Sequence, residues 1–575
     1  NPSVVSMQIF NFLFPLVSLA ESFKFLAYSP QFAVSHTNFI AKISGALVEA
    51  GHEVVIVAPR IHPSIRGALS KKARVIELPE NEHTRGWYEA ETRTMDNAWN
   101  SSILEFAMDA RKVLAHQLDA ANATIHYPGL VEQLREEKFD TAFSENPIGF
   151  GLFYLAGIER TALAVSFTNF ECGYSLTQMP SAPSYVPSIM SPYGDRMSFF
   201  QRVVNTLTSL AFGLMFVSNS RLAQSIFDEL TPGVALHDIV ANNSLMFLNS
   251  EPLLDYPRPT VHRVIDIGGI AMATEAELLD EYWSSVLDRR NRTVILSFGT
   301  YIRASRMPEI YKTTIRNALS KFYDVTFIWK YENPDHNVSQ GINNIVETTW
   351  LPQVALLNDP RLTAFITHGG QGSTLEAAYA GQCFTLFKTV GSVKNSYSFL
   401  SLRCYVYLER VYIMEGHARH MHFDFFTIFS GKPMLMMPTQ GDQHRNAAMI
   451  KRAGLGEIMQ FSDLEQDERL KEAIRDLLEN EEYTIKAKHV AAMLKDRPIS
   501  AKEKLVRNME FLARYGPLRM LDHEGRNLNF IQYYLIDVFV FLAVITLAIV
   551  GLIGTCCFIS CRFCSRKVHR KYVSL

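Results

Sequence analysis

One-sided charge is missing from this chain: 56 Lys and Arg stand against 58 Asp and Glu in 575 residues, a formal net of −2. So balanced a composition makes nucleic acid no obvious partner. Cysteine is scarce too, with seven residues, of which Cys556, Cys557, Cys561 and Cys564 crowd near the end. That leaves Cys172, Cys383 and Cys404 for everything before, and no disulfide framework follows. Cys561 and Cys564 form a C-x-x-C without a second pair, so they read as membrane-flanking thiols, open to acylation, and not as metal ligands. The apolar excess is confined to the two ends.

Near the start, Ile9 to Ala20 is an apolar run closing on small residues before Glu21, the pattern of a secretory signal spanning residues 1–20. No basic residue precedes it and the chain begins with Asn1, so a truncated gene product is expected. Near the end, Val538 to Ser560 is long enough at about 1.5 Å per residue to cross a bilayer core of about 30 Å. The span is placed at 537–561, and the basic tail 562–575 holds Arg562, Arg566, Lys567, Arg570 and Lys571. The positive-inside tendency puts that tail in the cytosol and the rest outside or in a lumen, a single-pass type I arrangement. Sequons at Asn100, Asn122, Asn242, Asn291 and Asn337 all precede the span, in keeping with a glycoprotein.

A length of 575 residues exceeds one hydrophobic core and predicts at least two domains. Phe23 to Tyr28 reads as a strand, Asn38 to Ala50 as a helix with Phe39, Ile40, Ile43 and Leu47 on one face, and Val54 to Ala58 as a buried strand: a βαβ unit. Ser35 and His36 fall between strand and helix, where ligands of such sheets collect. The Pro-rich stretch at 255–262 reads as a linker between a first domain, 21–254, and a second, 263–525. The second opens with a strand over Val294 to Phe298, a turn at Gly299 and Thr300, a helix over Pro308 to Phe322 and a strand over Val325 to Lys330. Ser462 to Asp496 is charged and helix-prone, a solvated face.

The densest chemistry lies between Trp350 and Asn446. Trp350-Leu-Pro-Gln353 precedes a β-branched strand, Leu362 to Thr367, which runs into His368-Gly-Gly-Gln-Gly and a helix opening near Ser373, with Glu376 one turn on. A strand entering glycines and a helix start offers free N–H groups and the positive end of a dipole to an anion. Lys432 to Pro438 and Gly441-Asp442-Gln443-His-Arg-Asn446 follow. This order of Trp-x-Pro-Gln, His-Gly-Gly, Ser-x-x-Glu and Asp-Gln-x-x-Asn resembles the signature of the UDP-glycosyltransferases, in their membrane-anchored, UDP-glucuronosyltransferase-like animal form.

The resemblance implies a GT-B α/β fold, two Rossmann-like domains facing across a cleft with one C-terminal transmembrane helix, and residence in the endoplasmic reticulum membrane with the catalytic domains lumenal. It implies that Trp350 stacks on uracil and Gln353 bonds it, that Gly299, Thr300, His368, Gly370 and Ser373 hold the diphosphate, that Glu376 accepts the ribose hydroxyls, and that Asp442 and Gln443 grip the sugar. His36 becomes the base that deprotonates the acceptor, oriented by the acid that ends the strand after Phe139-Asp140, here Glu145 where many members carry Asp. The implied reaction is inverting transfer of a glucuronosyl or glucosyl group from UDP-glucuronate or UDP-glucose to a small lipophilic acceptor, without cofactor or metal, in a chain able to form homo-oligomers. A non-catalytic UDP-sugar or lipophile binding protein is the alternative. The acceptor is expected to meet residues from the sixties to Asp119 and from Cys172 to Tyr193.

One segment breaks the pattern. Residues 382–431 separate Gly381 from Lys432, where the family runs on directly, and connections in α/β folds usually take about two to six residues. The insert is rich in Phe and Tyr, lacks a period, and reads as a retained intron looped out at the end of the helix closed by Gly381. His417, His420 and His422 lie in it without a Cys or acidic partner at ligand spacing, which argues against zinc.

Overall fold

The computed structural model describes residues 21–573 apart from 62–68, 71, 97–98, 100–117, 147, 169–178, 229–230, 271, 273–278, 301, 384–426 and 430. The signal-like stretch, most of the insert with its three histidines, Cys172 and Cys404 therefore lie outside the described residues. The chain divides into a large unit ending at Arg519 and a small one beginning at Met520.

Two parallel sheets build the large unit. The first contains β1 (Lys24–Tyr28), β2 (Glu53–Pro59), β3 (Arg74–Leu78), β4 (Thr141–Ser144), β5 (Thr161–Val165), β6 (Leu245–Leu248) and β7 (Val264–Asp266), ordered β3-β2-β1-β4-β5-β6-β7. Its central strands are buried along nearly their whole length because helices cover both faces: Val55, Ile56 and Val57 are fully buried, as are Leu26 and Ala142 beside them. The order reverses at β1, which pairs with β2 on one side and β4 on the other. At such a switch point the loops leaving the strands diverge and open a crevice at their carboxyl ends.

The second sheet contains β8 (Arg292–Ser297), β9 (Val325–Lys330), β10 (Ile345–Thr348), β11 (Leu362–Thr367), β14 (Met434–Met436) and β15 (Gly456–Ile458), ordered β10-β9-β8-β11-β14-β15. Its switch point lies between β8 and β11, whose carboxyl ends lead into Gly299 and His368. Between β11 and β14, β12 (Gly381–Cys383) and β13 (Thr427–Phe429) pair antiparallel at the base of the insert.

Four expectations shift. The first helix begins at Val34, not Asn38, because Ala33 takes an extended N-cap conformation, so His36 sits in its first turn. The Pro-rich segment is not the end of the first lobe: Val264–Asp266 still pairs with β6 as its last strand. The helix at Gln371–Tyr379 stops two residues before Gly381, which opens β12. Finally, the second domain does not keep its own last helix. Ala501–Tyr515 returns to pack on the first lobe's helix Val34–Glu49, tied by an ion pair of Lys502 with Glu49 and by Glu510 at 3.1 Å from His52 Nε2.

In the small unit, Ile536–Val573 is one helix whose portion Ile536–Phe563 is long and apolar enough to cross a membrane, with none of its apolar window buried.

Candidate active site

His36 and Glu145 meet at the first switch point. Glu145 follows β4 directly, His36 lies in the first turn of the helix that comes after β1, and the strands are neighbours, so topology brings together residues far apart in sequence. Glu145 Oε2 lies 2.9 Å from His36 Nδ1, and both side chains are largely shielded. Glu145 Oε1 accepts the Ser166 backbone N–H at 2.8 Å, while Ser166 Oγ sits 3.0 Å from Nδ1. With the proton on Nδ1 facing a carboxylate, Nε2 carries the free lone pair. Burial opposes a charged imidazole, but the charge and hydrogen bond of Glu145, with Glu91 and Asp442 adding to them, hold the His36 pKa above its ordinary value. Burial likewise favours neutral Glu145, yet His36 and Ser166 outweigh it and keep this carboxyl below the usual range. The Phe32 ring packs 4.8 Å from the imidazole and Phe167 meets it edge-on at 6.1 Å.

The second switch point supplies a polar cradle. Gly369 has φ +87° and Gly370 is extended, a path that starts the helix Gln371–Tyr379 without any side-chain cap. Its first-turn N–H groups thus lack intrahelical partners. His368 is packed so closely that a Cβ on Gly299 would come 2.6 Å from its Cε1, and one on Gly370 2.6 Å from its Nε2. Burial pushes the His368 pKa down to about 4, aided by the charge of Lys330 and opposed by a hydrogen bond to the Ser297 carbonyl. It is a neutral group at pH 7, so phosphate contact would come from an imidazole and not a cation. Lys330 Nζ, at the end of β9, donates to Gly299 O at 2.6 Å and fixes the turn that carries Thr300.

Gln353 begins a short helix, Gln353–Asn358, and its Nε2 donates to Glu376 Oε2 at 2.7 Å and Ser373 Oγ at 3.0 Å. Burial raises the Glu376 pKa to about 7, moderated by Gln353 and by Lys42 of the first lobe. Trp350 is not a core residue: its indole is 63% exposed, with a face open to stacking. Asp442 precedes the helix Gln443–Ala453 and accepts Asn446 Nδ2 at 2.8 Å, and the same amide bonds Gly369 O at 3.0 Å. Burial raises the Asp442 pKa, while Asn446 and then His36 pull it down. His36 of the first lobe and Asp442 of the second thus lie within electrostatic reach of each other. Gln443 commits its carbonyl oxygen to the Thr439 hydroxyl at 2.6 Å and backbone N–H at 2.9 Å, leaving only its amide hydrogens for a ligand.

The lobes are locked at this level. Gln371 Nε2 donates to Asn249 O at 2.8 Å, and Arg445 Nη2 reaches Asp255 Oδ1 at 2.6 Å with both side chains buried. The expected site residues therefore gather beyond the carboxyl ends of the two sheets. Ser166, Lys330 and Lys42 escaped sequence reading, although the first two follow or end strands, as does Glu145, which the resemblance pointed to.

Two opposed parallel α/β lobes with their switch points joined across a cleft define a GT-B glycosyltransferase. A UDP-glucosyltransferase from Polygonum tinctorium, solved with 3,4-dichloroaniline and capable of glucosylating indoxyl, superposes with a TM-score of 0.53 over 87% of this chain and all of its own, at 12% identity, a likeness of fold alone. The family described as "UDP-glucoronosyl and UDP-glucosyl transferase" matches residues 25–387 and 419–571, and the chain belongs to it. It is similar to UDP-glucuronosyltransferase 1A1 of Mus musculus, 26% identical over 92% of this chain and 90% of that protein. UDP-glucuronosyltransferase 1-2 of Rattus norvegicus is 24% identical over 92% and 90%. The chain is thus a UDP-glycosyltransferase that takes its sugar from a UDP-sugar donor.

Proposed function

We propose that this enzyme transfers a glucuronosyl or glucosyl group, with inversion, to a hydroxyl of a small lipophilic acceptor. The observation that carries the reading is His36 Nδ1 held 2.9 Å from Glu145 and coupled across the cleft to Asp442. His36 Nε2 takes the acceptor proton, the oxygen attacks the anomeric carbon on the face opposite UDP, and the C–O bond to the diphosphate breaks in a transition state of oxocarbenium character. Charge gathering on UDP is met by the N–H groups of the helix Gln371–Tyr379, with Gly299, Thr300, Gly370, Ser373 and His368 around it, so no step is routed through a metal. Trp350 and Gln353 take the uracil, Glu376 the ribose hydroxyls, and Asp442 with the Gln443 amide the sugar.

The apolar helix Ile536–Phe563 supports a single-span membrane anchor, and we place that anchor in the endoplasmic reticulum with the enzyme lumenal as part of the same proposal. The helix Phe199–Asp228 turns Phe200, Leu207 and Leu214 outward, which fits work beside a lipid surface. Residues 382–431 are read as a retained intron: the family match omits 388–418, and β12 pairs with β13 just before Lys432 resumes the core. Abundant mature transcript carrying codons 382–431 would defeat that part.

The test is a donor panel, UDP-glucuronate and UDP-glucose, against mixed phenols and steroids, with wild type and His36→Ala. General-base loss should lower transfer about 10²–10⁴-fold. Near-full transfer by the variant rejects the assignment.

A further inference from the structure

Outside the pair proposed to handle the proton, a further acid of the first lobe is buried close enough to His36 to feel its charge. Glu91 lies on the helix Glu82–Asp96, is 2% exposed, and its Oε2 makes no hydrogen bond. Burial pushes its pKa up to about 8, and His36 is the charge that acts on it, so the carboxyl lies within electrostatic reach of the base. One helical turn earlier, on the same face, Trp87 is also 2% exposed and its Nε1 likewise has no partner. Trp87 stacks on Phe32 at 5.1 Å, and Phe32 lies 4.8 Å from His36, so a ladder of rings leads from the orphaned indole N–H to the imidazole.

A buried acceptor and a buried donor left unpaired one helical turn apart are unfavourable in an empty protein. A single hydroxyl satisfies both, its O–H donating to the carboxyl of Glu91 and its oxygen accepting from Trp87 Nε1. An ammonium would answer only the carboxylate, and an apolar group neither. We infer that Glu91 and Trp87 form a second polar anchor for the acceptor, selecting aromatic molecules that carry two hydroxyl groups, one presented to His36 and the other held by this pair. The inference rests on the transfer reading above and names its substrate class.

The test compares two acceptors that differ by one hydroxyl, 4,4'-methylenediphenol and 4-benzylphenol, with the full-length membrane enzyme. Wild type should favour the diphenol by roughly tenfold or more in kcat/KM after the twofold statistical factor is removed, because a site built to bond a hydroxyl discriminates against its absence. Glu91→Leu should abolish that preference, bringing the two phenols to within about twofold of each other in kcat/KM whatever the common effect through His36, with the thermal midpoint no lower. Glu91→Met, with an unbranched stem, serves if leucine disturbs folding. A preference that survives in the variant overturns the inference, as does equal loss on both phenols accompanied by a lower midpoint, the mark of a structural residue. Absence of transfer to either phenol by wild type strikes the transfer reading itself and carries this one with it.

Discussion

Replacing Glu145 by Gln removes a charge and almost no volume, which isolates what the carboxylate does. In the wild-type arrangement it accepts from His36 Nδ1 at 2.9 Å and from the Ser166 N–H at 2.8 Å. A hydrogen bond to a charged group is worth about 1.5–3 kcal/mol. In the proposed role the active enzyme starts from neutral His36 and forms the imidazolium only as the acceptor proton moves, so above the His36 pKa loss of that bond falls on the transition state. At about 1.36 kcal/mol per tenfold, the electrostatic part alone is about 10- to 150-fold in kcat. The amide adds a second penalty. Its NH₂ can donate to Nδ1 and favour the tautomer with the proton on Nε2, where the base needs a lone pair, and a wrong tautomer of this kind raises the loss toward about 10⁴-fold. The pH profile should change as well. His36 acts when neutral and its pKa lies above the ordinary 6.5 because of Glu145, so wild-type activity rises with pH through that elevated value. In the variant the rise should move to lower pH while the plateau falls. Initial rates of UDP release from pH 5 to 9 decide it. A Glu145→Gln enzyme within about threefold of wild type at its plateau, or one with an unshifted acidic limb, refutes the role given to Glu145.

Gly299→Ala forces a Cβ to 2.6 Å from the His368 ring at a backbone φ of +79°, and donor KM should rise about tenfold or more. Gly372→Ala, with nothing within 4 Å, is the matched control and should change donor kinetics little. Glu376→Gln gives up one of the two carboxylate oxygens proposed to accept ribose hydroxyls, and should raise the inhibition constant of UDP by about tenfold while sparing kcat, as steady-state inhibition would show. Arg445→Ala removes one of the two guanidinium partners of buried Asp255, Arg258 being the other, and should destabilise by about 3 kcal/mol, measured by chemical denaturation. The Asp255 carboxyl is burdened by burial but held well below its usual range by Arg445 and Arg258, so its stabilisation is present above about pH 4 and lost as pH falls. The variant's stability should therefore decline less steeply in acid.

Much of this is legible in one dimension because parallel strands declare themselves. Leu362–Thr367 and Val325–Lys330 can be read residue for residue from apolar, β-branched runs, and the glycines after β11 mark a ligand end. The motif resemblance then locates His36 and Glu145 before any contact is visible. What stays hidden depends on third-dimensional neighbours. Ser166 follows β5 as an unremarkable serine, and its place between Glu145 and His36 exists only once β4 and β5 pair. Lys42 is one polar position on an amphipathic helix, with nothing in its spacing to say that its charge acts on Glu376. The short strand Val264–Asp266 is half-buried and follows prolines, so it carries neither the alternation nor the length that signals a strand. Helix Ala501–Tyr515 announces one apolar face through Leu505, Met509 and Leu512, but periodicity cannot name the lobe that receives it.

That returning helix has a consequence for biosynthesis. The lobe that leaves the ribosome first offers bare ground at Val34–Glu49, β4 and β7 until residues 501–515 emerge. Its Arg160 reaches the Gly516 carbonyl at 2.9 Å only then. The lobe made before the other is consequently finished after it, and a nascent chain arrested anywhere in the second lobe would display an incomplete first lobe to the quality-control machinery.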